Sequence, residues 1–145
     1  MRQAGRGNWI LVSLIAVVLG IVGLFVFSGE SPLTASHKFL TALGKGDAET
    51  LTDMSYFEPA RPRAEVLKDW KKTLESSKYY RFAWMLKSST NPAPGRASVK
   101  MEFTRDFDQG SAYSENFSLD LIQQNGKWVV DVRSLSRELY PDLPR

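Results

Sequence analysis

The sequence has no cysteine and only one histidine, His37, among its 145 residues. Without cysteine the chain cannot form a disulfide, a thiolate zinc site, a thiol nucleophile or an iron–sulfur cluster. A single histidine also excludes a histidine-rich metal site built by this chain alone. The length allows one domain with one hydrophobic core. We therefore expect a single domain without a cofactor.

Negative charge is missing from the first 29 positions, which carry only two charged residues, Arg2 and Arg6. From Glu30 onward there are 17 basic and 16 acidic residues, so this part has a net charge of +1 although the whole chain has a pI of about 9.2. A nucleic-acid-binding surface needs a clustered excess of positive charge. The charge distribution therefore predicts no nucleic-acid partner.

Residues 7–29 contain no charged residue, and residues 9–27 are almost entirely apolar. A helix of this length spans roughly 30 Å, which is the thickness of the hydrocarbon core of a bilayer. Trp9 lies where an interfacial aromatic residue is expected. We predict a transmembrane helix over residues 9–28, with membrane lipids around it. A cleaved signal peptide ending near Ser28 is the alternative, but its apolar region would be unusually long.

The positive charges also predict the topology of this segment. Arg2 and Arg6 precede it, whereas no Lys or Arg follows it before Lys38. The positive-inside rule then puts residues 1–8 in the cytoplasm and the following domain outside. In a bacterium the chain would be a single-pass protein of the inner membrane with a periplasmic domain, joined by a linker at residues 29–33.

Small residues recur along one face of the predicted membrane helix, at Ser13, Ala16, Gly20 and Gly23. Such a stripe lets another transmembrane helix approach closely, because helix association in lipid depends on van der Waals contact. The alternative is that Gly and Ala are simply common in membrane helices. The stripe predicts integral membrane protein subunits as partners.

The remainder of the chain changes from a helical period to a period of two. Ser31 and Pro32 begin the first predicted helix, Asp47 caps a second, and a third covers residues 64–77. Predicted strands cover residues 79–88, 97–104, 113–121 and 127–132, with a breaker at 91–95 and a hairpin turn at Asn125-Gly126. The sequence therefore predicts an α+β domain over residues 34–135, with three helices packed on a four-stranded antiparallel sheet. Residues 136–145 would form a disordered end or an extended docking tail.

Two segments resemble a known superfamily. Residues 39–47, Phe-Leu-Thr-Ala-Leu-Gly-Lys-Gly-Asp, are similar to the opening of nuclear transport factor 2-like (cystatin-like) domains, and Asn-Gly-Lys-Trp-Val-Val at 125–130 resembles their last hairpin. The resemblance covers about residues 33–135. It implies a sheet curled around a long first helix, often with an apolar cone between them.

Some members of this superfamily are isomerases, dehydratases or hydrolases that carry Asp, His or Tyr in the cone. The corresponding candidates here are His37, Asp53, Tyr56 and Tyr113. A catalytic carboxylate would need a pKa raised by burial to act as a base near neutral pH. No pair can be assigned from spacing, and the sequence has no phosphate-binding loop, nucleophile elbow or zinc signature. We expect no catalytic residues.

A calcium site is conceivable at Asp106 and Asp108, which flank Phe107. Calcium requires six to eight oxygen ligands, so two carboxylates are too few. We therefore expect no metal site.

Aromatic residues alternate across both faces of the first predicted strand, and they cannot all enter one core. Tyr and Trp are favoured at interfaces because they bury a large area and retain a polar group. We therefore regard Tyr79, Tyr80 and Trp84 as a possible partner interface, together with Leu139 and Tyr140 in the C-terminal tail.

Together these features favour a non-catalytic, membrane-anchored accessory subunit that stabilises or organises a larger membrane-protein complex. A photosynthetic or respiratory complex is slightly favoured, by analogy with small anchored subunits of such complexes. A periplasmic module that binds a small apolar ligand or lipid in its cone is one alternative. An envelope secretion or transport component, or a small isomerase- or hydrolase-type enzyme, is another.

Overall fold

The computed structural model describes residues 29–105 and 112–145. The predicted membrane helix with its stripe of small residues, and the pair Asp106 and Asp108, lie outside these ranges. Within them, none of the helices has the length and apolar character that crossing a bilayer requires.

The described chain contains three α-helices and five β-strands. Helix α1 covers Pro32–Lys45, α2 Ala48–Asp53 and α3 Arg63–Ser76. The strands are β1 Ser55–Tyr56, β2 Phe82–Ala93, β3 Arg96–Arg105, β4 Tyr113–Gln124 and β5 Lys127–Asp131. A short 3-10 helix, Val132–Ser134, follows β5. The predicted α+β class and the three helices are confirmed.

Local signals set the helix boundaries. The Ser31 hydroxyl accepts a hydrogen bond from the Thr34 N–H at 3.1 Å, and the Asp47 carboxylate accepts one from the Thr50 N–H at 3.1 Å. These side chains satisfy N–H groups that lack a partner within their helices. Helix α1 ends at Gly46, which has a φ of 72°. A left-handed residue at this position is a common helix stop and suits glycine.

The sheet has the strand order β1-β5-β4-β3-β2. Strands β2 to β5 form the predicted antiparallel meander, whereas β1 pairs with β5 in parallel through Ser55 and Val130. The prediction of a four-stranded antiparallel sheet is therefore corrected to a mixed sheet of five strands. A two-residue strand is too short to show an alternating pattern, which explains why the sequence does not reveal β1.

Strand β2 lies at the edge of the sheet and differs from its predicted range at both ends. It begins at Phe82 rather than Tyr79, and it continues through Pro92 to Ala93. The sequence predicts a break over residues 91–95, but only Pro94 and Gly95 form the turn. Proline is tolerated here because an edge strand has one side without a pairing strand.

The core lies between the helices and one face of the sheet. Its largest fully buried side chains include Trp70 and Phe39 from the helices and Phe103 and Met101 from the sheet. Trp70 packs edge-on against Phe39 at a ring distance of 5.9 Å, and its indole N–H donates to the Ser55 hydroxyl at 2.9 Å. The space between α1 and the curved sheet is thus filled by side chains in this region.

The C-terminal residues pack onto the domain. Leu139 is fully buried, and Tyr140 and Leu143 are nearly so. The Thr73 hydroxyl donates to the Asp142 carbonyl, which ties the segment to helix α3. Residues 136–145, expected as a disordered or docking tail, therefore contribute to the core.

Candidate functional site

A cluster of aromatic rings covers the end of the sheet where β2 begins. We call it the aromatic cluster, and it consists of Tyr80, Phe82, Trp84, Phe103, Phe117 and Tyr140. Phe82 stacks on Phe103 with ring centres 4.7 Å apart and lies 5.6 Å from Trp84. Aromatic pairs at such distances add to the stability gained by burying their area.

The cluster is only partly covered because β2 is an edge strand. Phe82 and Trp84 point to the helical side of the sheet, and both remain half-buried. Helix α1 approaches them at Gly44, where a Cβ atom would lie 3.7 Å from the Trp84 ring and 3.8 Å from the Phe82 ring. Apolar ring surface therefore remains accessible to solvent beside α1.

Tyr79 adds a further exposed aromatic ring, directly before Tyr80 in the chain. It lies in the turn before β2 and is 84% exposed. The Lys78 ammonium group lies 5.2 Å from the centre of its ring, so the exposed ring is accompanied by a positive charge. We call Tyr79, Tyr80, Phe82 and Trp84 the aromatic surface.

Polar residues line the next part of the same face. Arg105 forms an ion pair with Glu115, and the Tyr113 hydroxyl donates to the Glu115 carboxylate at 2.9 Å. This hydrogen bond and the negative charge of Glu115 raise the pKa of Tyr113 above its ordinary value. Tyr113 stays protonated near neutral pH. The positive charge of Arg105 balances the charge of Glu115 in their ion pair. In the described part of the chain, the buried Nε of Arg105 has no hydrogen-bond partner.

The structure does not assemble the four catalytic candidates. His37 is exposed on α1, with its ring edge-on to Trp84 at 6.0 Å. Asp53 pairs with Arg63 at 2.9 Å, and the Tyr56 hydroxyl donates to Glu58 at 3.0 Å. Asp53 and Tyr56 line one surface cavity of about 530 Å³, which neither His37 nor Tyr113 lines.

Besides Trp70, Tyr140 and the Nε of Arg105, the buried polar side chains in the ranges that the structure describes are the hydroxyls of Ser36, Thr52, Thr73 and Ser77. Each of these hydroxyls donates to a backbone carbonyl. Over the same ranges, no group of three or more acidic or histidine residues is arranged to hold a metal ion.

The predicted interface residues fall into two groups. Leu139 and Tyr140 are buried in the domain's own core, so their assignment to a partner interface is corrected. Tyr80 lies between the groups, since it is half-buried and its hydroxyl donates to the Leu139 carbonyl at 3.2 Å. Tyr79 and Trp84 retain accessible area.

The predicted interface does not include Met85, which is 65% exposed on the opposite face of β2. Its odd-numbered position, after the even-numbered Phe82 and Trp84, indicates that it faces the other side of the strand.

A second surface feature is an open groove of about 540 Å³ between the end of α1 and helix α3. Lys45, Lys71 and Lys78 line it together with Glu75, which pairs with Lys78 at 3.4 Å. Tyr80 forms part of its wall, so the groove adjoins the aromatic surface and gives that side of the domain a positive charge.

No family model matches the chain, and no curated protein does. Solved structures do match. A SEC-C motif-containing protein from Rhodopseudomonas palustris has a TM-score of 0.53 at 14% identity, covering 70% of this chain and 75% of that one. A nuclear transport factor 2-like protein of unknown function from Shewanella oneidensis has a TM-score of 0.50 at 14% identity, covering 68% and 89%. The domain has the nuclear transport factor 2-like fold.

A third structure with this fold is a putative calcium/calmodulin-dependent protein kinase type II association domain from Thiobacillus denitrificans. Its TM-score is 0.52 at 12% identity, and the match covers 70% of this chain and 90% of that one. At such identities the similarity establishes the fold and not the activity, because one fold supports many functions. The resemblance of residues 33–135 to nuclear transport factor 2-like domains is thus supported at the level of the fold.

Proposed function

We propose that this chain is a non-catalytic accessory subunit of a membrane-protein complex. Residues 9–28 anchor it in the inner membrane, and its nuclear transport factor 2-like domain lies on the periplasmic side. The domain contacts a neighbouring subunit through the aromatic surface, and the stripe of Ser13, Ala16, Gly20 and Gly23 contacts a transmembrane helix of the same complex.

The observation that carries this proposal is the aromatic surface on the edge of the sheet. Tyr79 is 84% exposed, and the half-buried Phe82 and Trp84 follow it within five residues of the chain. Exposed aromatic side chains are typical of protein interfaces, in which Tyr, Trp and Phe are enriched. A partner that covers these rings would gain stability from their burial.

Two observations support binding to a protein rather than catalysis or ligand storage. The interior between α1 and the sheet contains the fully buried Trp70, Phe39 and Phe103 where an apolar ligand would have to lie. The carboxylates nearest to the aromatic surface also have partners, since Glu115 pairs with Arg105 and Glu75 with Lys78. A general base must lie within hydrogen-bond reach of the substrate proton that it removes, whereas each of these carboxylates faces a cation of the domain itself.

The first experiment is to solubilise native membranes in mild detergent, purify the tagged full chain, identify its companions and record an absorption spectrum. Stoichiometric integral membrane subunits with haem or chlorophyll absorption are the expected result for a bioenergetic complex. Companions from a secretion or transport system would retain the accessory role and refute the bioenergetic assignment. A chain that purifies alone would refute the accessory role.

Two variant pairs test the contacts. Gly20→Leu with Gly23→Leu should abolish co-purification, because the larger side chains keep a partner helix at a distance. The matched control is Val18→Leu with Val22→Leu, on the opposite face of the predicted helix.

In the domain, Tyr79→Ala should weaken co-purification several-fold, whereas Met85→Ala, also exposed but on the other face of the sheet, should leave it unchanged. Equal effects within either pair would contradict the assigned contact.

A further inference from the structure

The start of the described chain lies at one end of the sheet. A Cβ atom added to Gly29 would lie 3.8 Å from the Gly126 carbonyl oxygen, so the described part of the chain begins beside the turn between β4 and β5. Helix α1 starts three residues later, at Pro32. Three extended residues span only about 10 Å. An anchor that ends at residue 28 therefore keeps this end of the domain close to the bilayer.

The two hairpin turns that the described ranges contain, at residues 94–95 and 125–126, lie at this same end. Arg96, the first residue of β3, pairs with Ile122 near the end of β4. The Gln123 N–H donates to the Gly95 carbonyl at 2.8 Å, which joins the turn at 94–95 to the strand that leads into the turn at 125–126. The N-terminus of the domain and the two turns thus form one surface.

The aromatic surface lies at the opposite end. Phe82, at the start of β2, pairs with Arg105 at the end of β3. Strand β3 has ten residues, which corresponds to roughly 30 Å at the rise of an extended strand. Helix α1 also runs from the first end to the second. The segment that leads into it starts beside Gly126, and the helix reaches the Phe82 and Trp84 rings at Gly44.

The surface that faces the anchor is compact and carries few charges. We call it the proximal surface, and it consists of residues 29–30, 92–96 and 125–127. Arg96 and Lys127 are exposed there, and Glu30 is its one acidic residue. Across the described ranges neither Arg96 nor Lys127 has an ion-pair partner. Two unpaired cations at a surface held near a bilayer match the phosphate groups of its lipids.

We propose that the proximal surface rests on the phospholipid headgroups, with Arg96 and Lys127 at the phosphate oxygens. This inference rests on the proposed membrane anchor. It also specifies the partner, because the aromatic surface then points away from the bilayer and stands roughly 30 Å above it. The neighbouring subunit must therefore have a part that extends this far from the membrane.

The absence of cysteine makes the orientation measurable at single sites. The full chain is reconstituted into vesicles of phosphatidylcholine and phosphatidylglycerol, with a fluorophore on Ala93→Cys or on Lys45→Cys. Both positions are exposed; Ala93 lies beside the proximal turn, and Lys45 ends helix α1 at the far end. A nitroxide on the lipid headgroup should quench the label at 93 several-fold more than the label at 45. Equal quenching, or stronger quenching at 45, would overturn the orientation.

Charge reversal tests the lipid contact. With the label at 93, Arg96→Glu plus Lys127→Glu should reduce the quenching in vesicles that contain phosphatidylglycerol. Lys45→Glu plus Lys71→Glu reverses the same charge at the far end and should have no effect. Unchanged quenching in the Arg96 and Lys127 variant would refute their contact with phosphate.

Flotation of the same vesicles separates this inference from the proposed function. A chain that floats with the vesicles but shows the reverse quenching pattern would overturn the orientation and leave the anchor intact. A chain that does not float would overturn both the anchor and the orientation.

Discussion

Trp70 shows how single residues determine the stability of this domain. Its indole is fully buried, packs on Phe39 and donates to Ser55. Trp70→Ala would leave a large cavity and should lower the free energy of unfolding by about 3–5 kcal/mol. Tyr79→Ala removes a ring that is 84% exposed and should change it by less than about 0.5 kcal/mol. Urea unfolding of the detergent-solubilised chain, followed by circular dichroism, measures both; similar losses would contradict the packing described for Trp70.

Tyr113 and Glu115 make a residue-scale prediction about pH. The hydrogen bond to Glu115 and its charge raise the pKa of Tyr113, so folding favours the neutral phenol. The stability from this contact is complete below pH 10 and is lost as the pH rises through the folded-state pKa. Glu115→Gln should lower the pH at which Tyr113 ionises. Ultraviolet difference spectra recorded during an alkaline titration measure this ionisation, with the Tyr113→Phe variant as the reference that lacks it. An unchanged titration would contradict the contact.

At the scale of elements, the Asp47 cap links helix α2 to acid stability. Hydrogen bonds from the Thr50 hydroxyl and N–H lower the pKa of Asp47 below its ordinary value. The charged cap is therefore present above that ordinary value, and its contribution is lost as the pH falls through the lowered one. Asp47→Ala should cost about 1 kcal/mol at neutral pH. Asp47→Asn should retain most of the stability that the cap contributes, but this contribution should no longer change as the pH falls. Acid titrations monitored by circular dichroism measure the difference.

The C-terminal segment is the second element that makes a prediction. Leu139 is fully buried, whereas Leu33 on α1 is 39% exposed. Leu139→Ala should therefore destabilise the domain by about 2–5 kcal/mol, and Leu33→Ala should cost much less. Denaturant unfolding of the two variants compares the same chemical change at a buried and an exposed site. Equal losses would show that residues 136–145 do not belong to the core.

At the scale of the whole molecule, the charge distribution separates an uncharged N-terminal segment from a remainder of nearly balanced charge. The full chain should remain in the membrane after extraction with alkaline carbonate. This treatment breaks electrostatic contacts at the membrane surface, whereas an apolar segment of residues 9–28 would be held by the hydrocarbon core. A chain that starts at residue 29 should appear in the soluble fraction. Release of the full chain would contradict the anchor and favour the cleaved signal peptide.

Local chemistry allowed much of the fold to be predicted. The capping residues Ser31 and Asp47 act within one helical turn, and Asn125-Gly126 forms its hairpin turn from the positive φ values of both residues. Alternating side chains also revealed β3 and β4, because half-buried strands repeat every two residues. The candidate site was accessible in the same way, since Tyr79 and Trp84 stood out as aromatic residues on both faces of one predicted strand.

The helices, the meander and the uncharged N-terminal segment could thus be predicted from local patterns, because each depends on neighbouring residues. Three features arise only when the whole domain folds: the pairing of Ser55 with Val130, the edge position that allows Pro92 within β2, and the burial of Leu139 and Tyr140. These features depend on contacts between distant parts of the chain, such as the hydrogen bond from Tyr80 to Leu139 across 59 residues. Such contacts leave no periodic pattern in the sequence, because the two residues that they join lie far apart along the chain.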